Sequence, residues 1–216
     1  MTTTELTKYA HACLTLSRGG RTLLLDPGVF TPEASALLGV ADAVLVTHDH
    51  PDHLDVDAVT TALRARPRLR LHGPAALAAS LDDDLVDRLT VVQPGERLDV
   101  AGFDVRVFGG DHAPIHQDMP PMANVGFLIE GVCHPGDSYE HPPEQVDTLL
   151  LPTSGPWTSV GQAVDFVRAV APRRTIQIHD GMLNDVGRGS VAGFLGAEGL
   201  TGVPLLTLSS GETVSV

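Results

Sequence analysis

Three histidines and two aspartates fall within six residues, His48-Asp49-His50-Pro51-Asp52-His53, directly behind an apolar run from Ala43 to Val46. The run reads as a buried strand, which places the polar cluster in a Pro-containing loop at the strand's end. At the spacing His-x-His-x-Asp-His, the side chains converge only if the backbone leaves the strand into a tight turn. Imidazole nitrogen and carboxylate oxygen are the donors Zn²⁺ takes when no thiolate is offered. The plain alternative is a solvated acidic loop that happens to hold histidine. Ligand type and strand-end placement together argue against it.

The chain's 216 residues suit one domain spanning 1–216, and a 43% hydrophobic fraction supplies a real interior. No run approaches the roughly 20 apolar residues needed to span a bilayer. Met1 to Lys8 has no basic region leading into an apolar stretch, so no signal peptide is expected. Cys13 and Cys133, the only cysteines, sit in apolar strand-like contexts where buried thiol is the common state; a disulfide between them is unforced. A cytoplasmic location is the default. Acidic residues outnumber basic ones by 27 to 14, for a formal net charge of −13. Phosphate backbones need a field of Lys and Arg, so nucleic acid and anionic membrane are not expected partners. The local run Arg64, Arg66, Arg68 and Arg70 reads as a solvated helix end and strand edge. A small-molecule substrate is expected, and self-association is left open.

Strands are expected over Ala12 to Leu16 and Thr22 to Leu25, reversing at Gly19-Gly20, with Asp26-Pro27-Gly28 ending the second. Val56, Val59 and Leu63 space a helix over Asp55 to Arg66 that Pro67 closes, and an Ala-rich helix is expected from Pro74 to Leu81. Further strands are expected at Leu69 to His72, Val91-Val92, Glu96 to Val100, Phe103 to Phe108, Val125 to Glu130, Val132 to His134, Asp147 to Leu151 and Thr175 to Ile178. Ser159 to Val170 is a helix opened by a Ser159/Gln162 capping box. The stretch Gly109 to Asn124 is irregular, and a structureless loop of that length is usually functional. This order fits an α/β protein with two sheets.

Four donors in one loop do not close two metal sites, so others must come from downstream strand ends. His112, Asp137 and His179 each follow a β-like run and stand in or beside a turn. One sheet edge would carry all of them.

With these motifs in place the chain resembles the metallo-β-lactamase-fold hydrolases: a His-x-His-x-Asp-His loop, a strand-end His, a Gly-Asp-Ser motif at Gly136-Asp137-Ser138 and a late Ile178-His179. The resemblance implies a four-layer αββα sandwich with the site at one edge of the paired sheets. It implies a first metal on His48, His50 and His112, a second on Asp52, His53 and His179, and Asp137 bridging them. Tyr9-Ala10-His11-Ala12, with Leu25-Asp26-Pro27, resembles the branch holding ascorbate-6-phosphate lactonase and N-acyl phosphatidylethanolamine phospholipase D. That branch usually has Gly where this chain has Ala10. His11 is then expected to line the site, and Asp26 to support the metal loop by fixing a ligand imidazole's tautomer.

Several residues keep alternative readings. His116 competes with His112 as ligand, strand-end position favouring His112; otherwise His116 contacts substrate or lies exposed. His134 is read as structural, His72 and His141 as ordinary surface or turn residues, and Asp49 as pointing away from metal. Trp157, the only Trp, reads as core packing or as a pocket wall.

Two divalent ions about 3.5–4 Å apart, Zn or else Mn, would hold a shared water and bring its pKa from 15.7 towards about 7, giving a metal-bridging hydroxide. Asp52 is placed to accept or orient its proton as the catalytic carboxylate. The bond cut would be a small ester, lactone or phosphodiester. Penicillins are disfavoured because Lys8 is the only lysine, and no Gly-x-Ser-x-Gly elbow supports a serine nucleophile. The alternatives are a mononuclear Fe oxygenase like the persulfide dioxygenases, or a non-catalytic metal-binding scaffold.

Overall fold

The computed structural model describes residues 3–216; Met1 and Thr2, the start of the segment read above for a leader, lie outside the described residues. Fourteen strands form two mixed sheets of seven. The first contains β1 (Glu5–Lys8), β2 (Leu14–Arg18), β3 (Arg21–Leu25), β4 (Ala43–Leu45), β5 (Leu71–Gly73) and β6 (Leu89–Val91). The second contains β7 (Arg97–Val100), β8 (Phe103–Asp111), β9 (Ala123–Ile129), β10 (Val132–His134), β11 (Thr148–Pro152), β12 (Arg174–Ile178) and β13 (Leu205–Leu206). The last strand, β14 (Glu212–Ser215), returns to the first sheet and pairs with β1. Strand order is 14-1-2-3-4-5-6 in one sheet and 13-12-11-10-9-8-7 in the other. In each, the side that begins with hairpins is antiparallel and the other side is parallel.

Side-chain alternation assigns the layers. Leu23 and Leu25 of β3 face the second sheet, sharing a core with Val105, Val107, Phe127, Leu150 and Ile176. Leu24, between them, faces outward to Leu37 and Leu38 of α1 (Ala34–Val40) and to Val59 and Leu63 of α2 (Val56–Ala65). Beyond the second sheet, Leu128, Leu149 and Leu151 pack on Val164, Phe166 and Val167 of α3 (Val160–Val170) and on Leu195 of α4 (Asp185–Leu195). The expected four-layer αββα sandwich is the one observed.

Local chemistry explains the helix starts. The Asp55 carboxylate accepts from the Ala58 N–H at 3.0 Å, and Ser159 Oγ accepts from the Gln162 N–H at 3.3 Å. Some expectations need correction. The Pro74 to Leu81 helix is a six-residue 3₁₀ segment, Ala75–Ser80, too short to recover the cost of α-helix nucleation. The irregular stretch shrinks to 112–122, because β8 and β9 pair as far as Asp111 and Ala123. The strand expected from Ala12 starts at Leu14. His72 is part of β5 rather than a turn, its Nδ1 buried without a partner. Cys13 and Cys133 are free, buried thiols in different outer cores, so they do not pair. Among the described residues no helix is long and apolar enough to cross a membrane.

Candidate metal centre

Loops leaving the C-terminal ends of β3, β4, β8, β10 and β12 meet at one end of the sandwich. The parallel halves place strand C-termini there, the usual location of sites on such sheets. Backbone geometry at the meeting point is unusual. His11, Asp26 and His179 are three of the six non-glycine residues with positive φ among the described residues, at 58°, 43° and 51°. Residues held this way persist only when their surroundings over-determine them. The Asp26 turn presses on the histidine loop so closely that a Cβ on Gly28 would lie 1.9 Å from the Asp52 carbonyl oxygen.

Donors gather in two groups, His48, His50, His112 and Asp137, and His11, Asp52, His53 and His179, with ligand atoms within 4.8 Å of one another in each. Asp137 stands between them. Its Oδ1 is 3.1 Å from both His53 Nε2 and His179 Nε2, and its Oδ2 is 3.4 Å from His112 Nε2 and 4.0 Å from His48 Nε2. One carboxylate thus turns an oxygen to each group.

Hydrogen bonds assign the imidazole tautomers. His53 Nδ1–H donates to Asp26 Oδ2 at 2.7 Å, His112 Nδ1–H to the Ala113 carbonyl at 2.6 Å, and His179 Nδ1–H to the Ser154 carbonyl at 2.5 Å. His48 Nδ1–H donates to Thr47 Oγ1 at 3.0 Å, because the Thr47 hydroxyl is itself donated to Asp26 Oδ2 at 2.8 Å. Each ring therefore presents an Nε2 lone pair inward. His50 turns Nδ1 towards His48 Nε2 at 3.0 Å.

His53 Nε2, His112 Nε2, His179 Nε2 and Asp137 Oδ1 are buried with no hydrogen-bond partner among the described residues. Buried polar atoms without partners are costly, and four that face one another define a place for a cation. These residues fit a divalent metal ion. Burial alone would lower the His53 pKa, but the carboxylates of Asp137 and Asp26 outweigh it and hold it well above the ordinary value. Burial would raise Asp137, yet His53, His112 and His179 hold it well below the carboxylate range. His48, beside His53 and farther from Asp137, is pushed well below its usual value by burial.

His11 belongs to the second group by distance but not by chemistry. The Gly181 N–H donates to its Nδ1 at 3.1 Å, so its proton lies on Nε2 and is donated to Asp52 Oδ2 at 3.0 Å. A ring with both nitrogens so engaged offers no lone pair. It orients Asp52, whose own pKa is held down, against burial, by His11 and His179. Asp137 Oδ1 completes that group instead. His134 is occupied likewise, accepting from the Gly136 N–H at 3.1 Å and donating to the Ala12 carbonyl at 3.2 Å.

Of the remaining expected residues, Asp26 is fully buried and also accepts the Thr47 N–H at 2.8 Å. Trp157 is buried, and its Nε1–H donates to Asp137 Oδ2 at 2.7 Å. The structure leaves His116 out of both groups, on the exposed loop, accepting the Asp118 N–H at 3.2 Å. Asp49 joins neither group. Three supporting residues carried no signal in the sequence: Thr47, Ser154 and Asn124. Asn124 Oδ1 accepts the Asp137 N–H at 3.0 Å and its Nδ2 donates to the Pro135 carbonyl at 2.9 Å. Gly136, at φ 64°, leaves room for this clamp; a Cβ there would lie 2.1 Å from Asn124 Oδ1.

Two seven-stranded sheets between helix layers, with a histidine–aspartate centre at their edge, define the metallo-β-lactamase α/β sandwich. The chain belongs to the β-lactamase superfamily domain family, whose sequence model matches residues 5–179. It is 37% identical over 197 residues to Protein Rv0786c of Mycobacterium tuberculosis, covering 88% of this chain and 91% of that one. It is 29% identical over 212 residues to a UPF0173 metal-dependent hydrolase of Anaeromyxobacter sp., covering 82% and 75%. Among solved structures, Igni18, described as a novel metallo hydrolase from Ignicoccus hospitalis, superposes with a TM-score of 0.73 over 99% of this chain and 98% of that one, at 19% identity.

Proposed function

We infer that the chain is a binuclear metal-dependent hydrolase of small esters, lactones or phosphodiesters. The observation that carries this reading is the placement of Asp137, one oxygen towards His53 and His179 and the other towards His48 and His112. The description of the UPF0173 relative as a metal-dependent hydrolase supports it. So does the resemblance of the His11 and Asp26 motifs to the lactonase and phospholipase D branch.

Bound divalent ions, Zn or else Mn, would acidify a shared water and polarise the scissile carbonyl or phosphoryl oxygen. The protein's own part is positioning. Asp26 and Thr47 lock the rings of His53 and His48, and the Ser154 carbonyl locks His179. Asp52, half-buried at the surface of the centre, is turned by His11 and would take or orient the water's proton. A single-iron oxygenase needs one donor group; the second group, built as fully as the first, favours a two-ion centre over a single-iron one.

Metal analysis of protein purified without added metal should give two Zn or Mn per chain, and that protein should hydrolyse bis-p-nitrophenyl phosphate or simple lactones. Asp137→Ala should lose at least one ion and the activity. One Fe per chain would overturn the reading in favour of an oxygenase. Full occupancy with no turnover of any ester, lactone or phosphodiester would overturn it in favour of a scaffold.

A further inference from the structure

The loop between β8 and β9 forms a half-open pocket of about 240 Å³, and His112 is one of the residues that line it. Ala113, Pro114, Ile115, Met119, Pro120 and Met122 supply most of the remaining wall. For comparison, a dry cavity of about 150 Å³ takes up benzene, so this space suits a phenyl ring with several further carbons. Among the described residues, no Lys or Arg lines it, and its polar lining besides His112 is Asp111, His116 and Gln117. The cations of the cleft beside His11 are already engaged: Lys8 is buried against Asp180 at 3.1 Å, and Arg188 is bonded to Asp185 and the Leu183 carbonyl.

The rim of the centre is also apolar beside His11, where Phe30, 45% exposed, sets its ring edge-on at 5.1 Å. Exposed apolar surface beside a polar centre marks a ligand groove. We propose that the 112–122 pocket receives the uncharged hydrocarbon part of the substrate, an acyl chain or aryl group, while the scissile bond lies at the metal centre that His112 shares with it. This rests on the hydrolase reading and narrows it to neutral, apolar esters and lactones over anionic substrates.

Two measurements test it, one of them independent of turnover. The chain has four methionines, of which Met119 and Met122 line the pocket. In protein carrying ¹³C-methyl methionine, 4-phenylbutan-2-one, a neutral ketone, should shift the Met119 and Met122 resonances, and acetone should not. Ile115→Trp, at a half-exposed position, should fill the space and abolish the shifts; Met119→Glu should weaken binding by placing a charge at the mouth. With metal-loaded protein, kcat/KM for p-nitrophenyl esters should rise at least about tenfold from acetate to hexanoate, or for acetate esters from methyl to benzyl, full burial giving about fourfold per methylene. The p-nitrophenyl hemisuccinate should fall at least about tenfold below the valerate, since its terminal carboxylate would be left unpaired.

Flat rates across both series with unmoved methyls, while the acetate is still cleaved, would overturn the pocket and leave the hydrolase standing. Methyl shifts without hydrolysis of any ester, lactone or phosphodiester would overturn the hydrolase reading and, with it, the substrate role assigned to the pocket.

Discussion

Trp157 donates its single N–H to Asp137 Oδ2 at 2.7 Å, on the oxygen that faces His48 and His112. The other oxygen, Oδ1, has no hydrogen-bond partner among the described residues. The two halves of the centre are therefore unequal. Trp157→Phe keeps the aromatic packing against Tyr139 and removes only the donor. Its loss should weaken ion binding on the His48, His50 and His112 side by about tenfold or more, the usual effect of removing a partner of a ligand. Chelator competition with Co²⁺, followed by its visible absorption, measures this; an unchanged affinity would show that Trp157 is only packing.

His11→Ala should act on the other side. Asp52 loses its donor and the Gly181 N–H loses its acceptor, so the ion near His53 and His179 should bind about tenfold more weakly. The same Co²⁺ titration distinguishes the two variants by which absorption component weakens. Loss of the Trp157 component instead would reverse the assignment of His11.

Asp26 is a buried charge held by the Thr47 N–H, the Thr47 hydroxyl and His53 Nδ1–H. Asp26→Ala strands those donors and should cost about 3–5 kcal/mol of stability, as breaking a buried charged pair does. Asp26→Asn keeps the shape but turns an amide N–H against one of those donors. It should fold, with a lower urea midpoint and reduced ion content. Wild-type values for both variants would remove Asp26 from the support of the centre.

Burial pushes the Cys13 thiol up from 9.0 to about 12 and raises Cys133 in the same direction. A raised thiol pKa means that the folded chain keeps protons the unfolded chain has released. The thiols' contribution to stability is thus complete below pH 9 and declines as pH rises from 9 towards 12. Urea midpoints should fall over that window, and Cys13→Ala should flatten the decline. At pH 8 neither thiol should react with a disulfide reagent until the chain unfolds.

Much of the fold was legible because its strands end at chemical punctuation. Asp26-Pro27 and His48-Asp49 mark where β3 ends and where the loop after β4 begins, and Ser159 marks the start of α3. The elements that escaped notice lack such contrast. In α4, Gly187, Gly189 and Gly193 dilute the apolar period and only Leu195 is buried, so the sequence carries little of the apolar stripe by which a helix is read. The pairing of β1 with β14 joins residues about two hundred positions apart, and no local pattern encodes it. The candidate centre divides in the same way. His112 stood out over His116 because it follows a strand. Thr47, Ser154 and Asn124 are ordinary polar residues whose roles arise only once distant loops are brought against them.

The donors of the centre are far apart in order of synthesis. His48, His50, Asp52 and His53 leave the ribosome together, whereas Asp137 and His179 follow roughly a hundred residues later. A nascent chain can hold a passing ion only loosely until both late residues arrive, so early capture is reversible. Selection among competing ions would then be made by the finished pocket, on geometry, and not by whichever ion reached the first loop.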